Sequence, residues 1–211
     1  MEKLLIVGAS GHGKVVADAA MASGVWKDIA FLDDRFEEMK SVLGKPVIDC
    51  VDEAEKYRQA YINAVVAIGD NQRRLVVQQM LEESGYELAT IIHPTAVIGV
   101  DVEIGTGTVV FANAVINVGT RLGKSCIVNT SASIDHDCLL GNGVHISPGT
   151  SVAGGVVIGH RTWVGIGASV IQCCEIGEDV IIGAGAVVVN DIPQNTTAIG
   201  VPAKQKVLSN D

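Results

Sequence analysis

Aromatic residues are scarce: Phe, Trp and Tyr together make up 4% of the 211 positions, so the interior cannot be built around stacked rings. With 48% of the chain hydrophobic and 24 glycines, the core must instead consist of small aliphatic side chains in close-packed layers. Cationic charge is also in short supply, 15 Lys and Arg against 24 Asp and Glu, for a net charge of −9. That excludes sequence-independent nucleic-acid binding. An anionic ligand would have to be held locally, by backbone N–H groups or a few placed cations. No long apolar run is present; the opening stretch MEKLLIVGASGHG breaks at Gly8, so neither a signal peptide nor membrane insertion is expected. Five cysteines, an odd number without an export signal, point to a reduced, cytoplasmic setting.

What the chain has in abundance is a period of six. From Ile98 to Val188 every sixth residue is Ile, Leu or Val, without a break, and the position two residues earlier (Ala96 to Ala186) is always small or β-branched. Glycine often follows the aliphatic residue, as at Gly99, Gly105, Gly123 and Gly141, where it is expected to turn the chain. Two inward side chains on a short strand followed by a turn make one side of a triangular coil. Three hexads then give a parallel β-helix of about 18 residues per coil, with roughly 4.8 Å between coils. An up-and-down barrel would need hairpin turns and uneven spacing, and neither is present.

Residues 1–90 read differently. Lys3–Gly8, Ile29–Leu32 and Asn63–Ile68 are short apolar strands, alternating with helical patterns over Lys14–Ser23 and Asn71–Ser84. This predicts a small Rossmann-like α/β domain over 1–90, followed by a β-helix domain over 91–211. Ligands of α/β units sit at the carboxyl ends of strands, where Gly8–Gly13, Asp33–Asp34 and Gly69–Asp70 fall. The loop GASGHG lacks the spacing of the dinucleotide fingerprint. It is either a tight strand–helix turn or a cradle for a nucleotide phosphate. The tail from Asn190, with Pro193 and IGVPAK, departs from the hexads and is expected to cap the solenoid.

Among the repeats, His136 stands out because Asp135 and Asp137 flank it. A carboxylate beside an imidazole selects its tautomer and stabilises the imidazolium that forms when it accepts a proton. At about 20° of rotation per residue, His136 and His145 lie on opposite sides of one prism. They can share a site only across neighbouring protomers, as in a trimer. His160 reads as structural. Cys126, Cys138 and Cys174 fall in the small inward register and read as core residues, not nucleophiles or zinc ligands. The histidine spacings do not supply a three-histidine zinc centre either, so no metal is expected.

The hexads together with GASGHGKVV, FLDD, AIGDN, NTSASIDHDC and GVPAK, in that order, resemble the bacterial sugar O- and N-acetyltransferases of the sialic-acid O-acetyltransferase and bacillosamine N-acetyltransferase type. The resemblance implies a left-handed β-helix and a homotrimer. It also implies acetyl-CoA as acetyl donor and a UDP-linked 4-amino-4,6-dideoxy sugar as acceptor. In these terms His136 is the general base and Asp137, or alternatively Asp135, the acid that assists it, while Asn129 orients the acceptor. Ser10, Gly11, His12, Asp33, Asp34 and Gly69 would bind the nucleotide sugar, and His145, Gly154 and Ile166 would line the acetyl-CoA groove. O-acetylation of a sugar, or a non-catalytic nucleotide-sugar-binding scaffold, are the competing expectations; failure to bind acetyl-CoA would favour the scaffold.

Overall fold

A computed structural model describes residues 2–206. Its first part is an α/β unit made of β1 (Glu2–Val7), α1 (Gly11–Ala22), β2 (Trp26–Leu32), β3 (Ser41–Val42), β4 (Lys45–Asp49), β5 (Asn63–Val66), α2 (Asn71–Glu83) and β6 (Glu87–Leu88). Leu4, Leu5, Ile6 and Val7 are all fully buried, as expected of a strand covered on both faces. The sheet order is β3-β4-β2-β1-β5-β6, parallel except for the β3–β4 hairpin. From β1 the chain moves one way to β2 and later returns to the other side at β5, so the carboxyl end of β1 is the topological switch point.

The rest is a left-handed parallel β-helix, as the hexads and the resemblance lead one to expect. Its first face runs through Ile91–Ile92, Val109–Val110, Ile127–Val128, His145–Ile146, Trp163–Val164, Ile181–Ile182 and Thr197–Ile199. The second carries Val97–Ile98 to Val187–Val188 and the third Glu103–Ile104 to Glu175–Ile176. Ile116, Ile134, Val164 and the other aliphatic positions point inward, as do the small ones. Thr108, Thr120, Thr150 and Thr162 are fully buried yet satisfied: each hydroxyl donates to a carbonyl in the next coil. Cys126 and Cys138 occupy the same register, with burial pushing the Cys126 thiol up to about 11.

The first coil strand, Ile91–Ile92, lies one hexad before the unbroken aliphatic series. The solenoid differs from the expectation in two respects. The tail adds a strand to the first face at Thr197–Ile199 before Lys204–Gln205 folds back antiparallel, so it extends the helix as well as closing it. The glycines that follow the aliphatic residues do not make the turns. The left-handed backbone falls two residues later, at positions such as Asp101, Gly119 and Asp137. The glycine is needed because successive corners stack: a Cβ on Gly105 would lie 2.4 Å from the carbonyl carbon of Gly123.

The α/β unit sits on the upper first face. Outward-facing Val109, Phe111 and Ile127 are buried in one cluster with Val16, Ala20 and Phe31. Beside this cluster Arg74, 1% exposed, donates from Nε to Ser125 O (2.8 Å), from Nη1 to Ile68 O (2.9 Å) and Gly69 O (3.1 Å), and from Nη2 to Asn71 Oδ1 (2.8 Å) and Gly143 O (2.9 Å). Burial lowers its pKa to about 10, so it stays charged at neutral pH, held by neutral oxygens. One side chain thus ties α2 and the loop before it to two coils. Among the described residues, no helix is long and apolar enough to cross a membrane.

Candidate active site

At the switch point a cleft of about 340 Å³ is lined by Gly8, Ser10, Asp33, Asp34, Arg35, Val51, Gly69 and Arg73. Two of the loop glycines are explained by packing. Gly8 has φ +107° and lies against Ala67, and a Cβ on Gly13 would strike the Gly8 carbonyl at 2.1 Å. Gly11 has open space in front of it and starts α1, leaving its first-turn N–H groups free for an oxyanion. Asp33 is committed to the loop: Oδ2 accepts from Ala9 N–H (2.8 Å) and Oδ1 from Arg35. Despite the opposing effect of burial, these hydrogen bonds hold the Asp33 carboxyl below its ordinary range. Asp34 stands at the rim, accepting from Val51 N–H and pairing with Arg73. Arg35 and Arg73 are therefore cations at the mouth of this cleft that sequence reasoning missed. Their proximity to the Asp33–Asp34 and Gly69–Asp70 strand ends was the available signal.

Gly69 also lines a second cleft, about 440 Å³, between the amino end of α2 and the lower first face. Its floor is a row of outward side chains, His145, Trp163 and Ile181. The His145 and Trp163 rings are parallel within 2°, with centroids 5.6 Å apart, and Trp163 Nε1 donates to Ser147 Oγ (2.7 Å). Asn129 Oδ1 accepts from Thr130 N–H, which orients its amide so that Nδ2 faces His145 Nε2 at 3.2 Å. Burial lowers the pKa of His145 to about 3, helped by the charge of Arg74, so the ring is neutral. With Nε2 accepting, the hydrogen resides on Nδ1, which is buried and has no partner among the described residues. His12 does not line the nucleotide-side cleft. It packs edge-on against Phe111 at 5.6 Å, with Nε2 lacking a partner among the described residues and a pKa lowered to about 4 by burial.

His136 follows Ile134 on the second face and precedes Leu139 on the third, so it stands on the edge opposite the first face. Asp137 occupies the left-handed corner position, φ 57°, and its Oδ2 accepts from His136 Nδ1 at 2.9 Å. That contact raises the His136 pKa and leaves Nε2 free of the proton in the neutral ring. Asp135 has a different duty: its Oδ1 accepts from the His136 backbone N–H and from Asn117 Nδ2, fixing the corner. Two glycines make room for the pair. A Cβ on Gly154 would lie 2.5 Å from His136 Nε2, and one on Gly119 would lie 2.6 Å from Asp137 Oδ1. Gly154 thus sits under the imidazole of its own chain. Ile166 is exposed at another corner, and His160 braces a turn by accepting from Asn142 N–H.

The raised pKa has a definite sign. As a general base, the role the resemblance implies, His136 would work unprotonated, so activity should rise with pH, with its midpoint above the ordinary histidine value. Asp137→Asn should move the acid limb of the kcat profile down in pH. It should also lower plateau kcat on the order of tenfold, a modest effect because the carboxylate is exposed and screened. An unmoved limb in a stopped-time rate series would show that Asp137 does not govern His136.

Comparison with known proteins matches residues 3–92 to the PglD N-terminal domain and residues 155–190 to the bacterial transferase hexapeptide repeats. The acetyltransferase domain of PglB from Neisseria gonorrhoeae FA1090, solved with acetyl coenzyme A, is 42% identical, with a TM-score of 0.94, over 97% of this chain and 99% of that one. A His-to-Asn variant of perosamine N-acetyltransferase from Caulobacter crescentus, solved with CoA and GDP-perosamine, is 39% identical, with a TM-score of 0.94 and 98% of both chains covered. A Bacillus subtilis UDP-N-acetylbacillosamine N-acetyltransferase is 36% identical over 111 residues, 51% of this chain and 50% of that protein, so the match spans about half the length of that curated relative.

Proposed function

Since the chain belongs to the acetyl-CoA-dependent, hexapeptide-repeat sugar N-acetyltransferases of the PglD type, we propose that it acetylates the 4-amine of a UDP-linked 4-amino-4,6-dideoxy sugar. The observation that carries this reading is the His136–Asp137 pair on a solvent-facing edge, with Nδ1 anchored and Nε2 open over Gly154. Nε2 takes a proton from the amine as its nitrogen attacks the thioester carbonyl. The C–N bond forms, the C–S bond breaks, and the proton passes to the departing CoA thiolate, whose thiol has a pKa of about 8.5. An activated thioester and an amine need no covalent intermediate, and Cys126, Cys138 and Cys174 are buried in the coil. Most of the rate then comes from bringing two large substrates together, worth roughly 7–11 kcal/mol when well oriented.

In this reading the first-turn N–H groups of α1, with Arg35 and Arg73, hold the diphosphate. The sugar crosses Gly69 into the second cleft, whose floor includes His145, and Asn129 beside it orients the acceptor. His136 of the same chain stands on the opposite edge, so the base comes from a second copy in a homotrimer, and acetyl-CoA lies in the groove between copies past Ile166. The proposed setting is the cytoplasm, where both substrates are made.

The test is thiol release from acetyl-CoA against UDP-, GDP- and dTDP-linked 4-amino-4,6-dideoxy sugars. The UDP acceptor should give the highest kcat/KM and a product whose acetyl group resists hydroxylamine, as an amide does and an ester does not. A hydroxylamine-labile product, or no thiol release with any acceptor, would overturn the reading.

A further inference from the structure

Trp163 and Ile181 are 47% and 48% exposed on the floor of the second cleft, although each is large and apolar and lies directly beside polar surface. Packing does not require them there. Their inward neighbours Val164 and Ile182 fill the core at 0% and 1% exposure. The indole is also held rigidly, by the hydrogen bond to Ser147 Oγ below it and the parallel His145 ring beside it. A fixed, half-exposed aromatic face next to an isoleucine is a platform for something flat and partly apolar. Gly69 lines both this cleft and the nucleotide-side cleft, and the rim around the platform is polar: Asp70, Gln72, Arg161 and Asp179.

We propose that Trp163 and Ile181 form the subsite that selects a 6-deoxy sugar: the pyranose stacks its C–H face on the indole, and its C6 methyl lies against Ile181. This rests on the N-acetyltransferase reading and adds the element of the acceptor that the cleft discriminates. A 6-hydroxy sugar would bring its hydroxyl onto the two apolar groups, where neither side chain can take up its hydrogen bond. Trp163 Nε1 is already engaged by Ser147 and Ile181 has no polar atom. An apolar pocket rejects an added hydroxyl only by about 10–10²-fold, which sets the scale of the selectivity.

The experiment compares UDP-linked 4-amino-4,6-dideoxy and 4-amino-4-deoxy hexoses as acceptors for the wild type, Trp163→Ala and Ile181→Thr, with acetyl-CoA varied separately. The wild type should prefer the 6-deoxy acceptor by about 10–10²-fold in kcat/KM. Each variant should shrink that ratio to within about threefold, with KM for acetyl-CoA changing by less than about twofold. Binding alone is read in a Trp26→Phe background, where Trp163 is the sole tryptophan: the 6-deoxy nucleotide sugar should change its fluorescence without acetyl-CoA. Equal use of both acceptors by the wild type overturns the subsite and leaves the N-acetyltransferase reading standing. So does a rise in KM for acetyl-CoA with unchanged acceptor preference, which would assign the platform to the thioester arm. Absence of transfer to either acceptor overturns both.

Discussion

His136→Ala should lower kcat by about 10²–10⁴-fold while leaving KM for both substrates and the oligomer unchanged. The side chain is exposed and contributes no core packing; among the described residues its one polar contact is with Asp137. Its loss therefore removes a proton acceptor and little else. The residual rate should come from substrate alignment, which the variant retains. It should also lose the acid limb of the pH profile, since the titrating group is gone. Gly154→Ala gives an independent check, because the added methyl would displace Nε2 from its place without deleting the base. Unchanged kcat in His136→Ala would remove this residue from the chemistry.

Arg74→Met should cost about 3–5 kcal/mol of stability, among the largest effects a single substitution can have in this chain. Methionine fills much of the volume but leaves the carbonyls of Ile68, Gly69, Ser125 and Gly143, and the Asn71 amide oxygen, without donors. Arg74→Lys should recover only part of this, since a single ammonium cannot reproduce a planar five-donor fork. For a chain of this size the loss corresponds to a fall in melting temperature of about 10 °C, read by calorimetry. Because Arg74 fixes the carbonyl of Gly69, which borders both clefts, KM for the nucleotide sugar should also rise. A variant within 1 kcal/mol of the parent in denaturant unfolding would refute the clamp.

These residues differ in how plainly the sequence announces them. The coil is legible because every hexad states the same local requirement, so a chance match at one position is corrected by the next. His136 is legible because its carboxylate partner is its chain neighbour. The role of the post-aliphatic glycines is misread for the opposite reason: a sequence displays the freedom of glycine, whereas what these positions need is the missing Cβ between stacked corners, a contact 18 residues away. Arg73 and Arg74 are adjacent on α2, yet one is solvent-facing at the switch-point cleft and the other is 1% exposed. Only the angle at which α2 docks on the solenoid separates them, and no local pattern carries that angle. The His145–Trp163 stack joins side chains one coil apart on the same face, visible only once outward residues are aligned by coil. The division of duties between Asp135 and Asp137 depends on the left-handed backbone at 137, which turns that carboxylate onto the ring.

The central claim is that the base of one copy serves the cleft of another. Co-expressing His136→Ala and His145→Gln chains with different affinity tags, and isolating oligomers that carry both tags, tests it directly. In a mixed trimer one interface pairs an intact His136 with an intact cleft. Doubly tagged oligomers should therefore recover about one third of the wild-type rate although each parent is nearly inactive. Doubly tagged oligomers no faster than the parents would contradict a shared site.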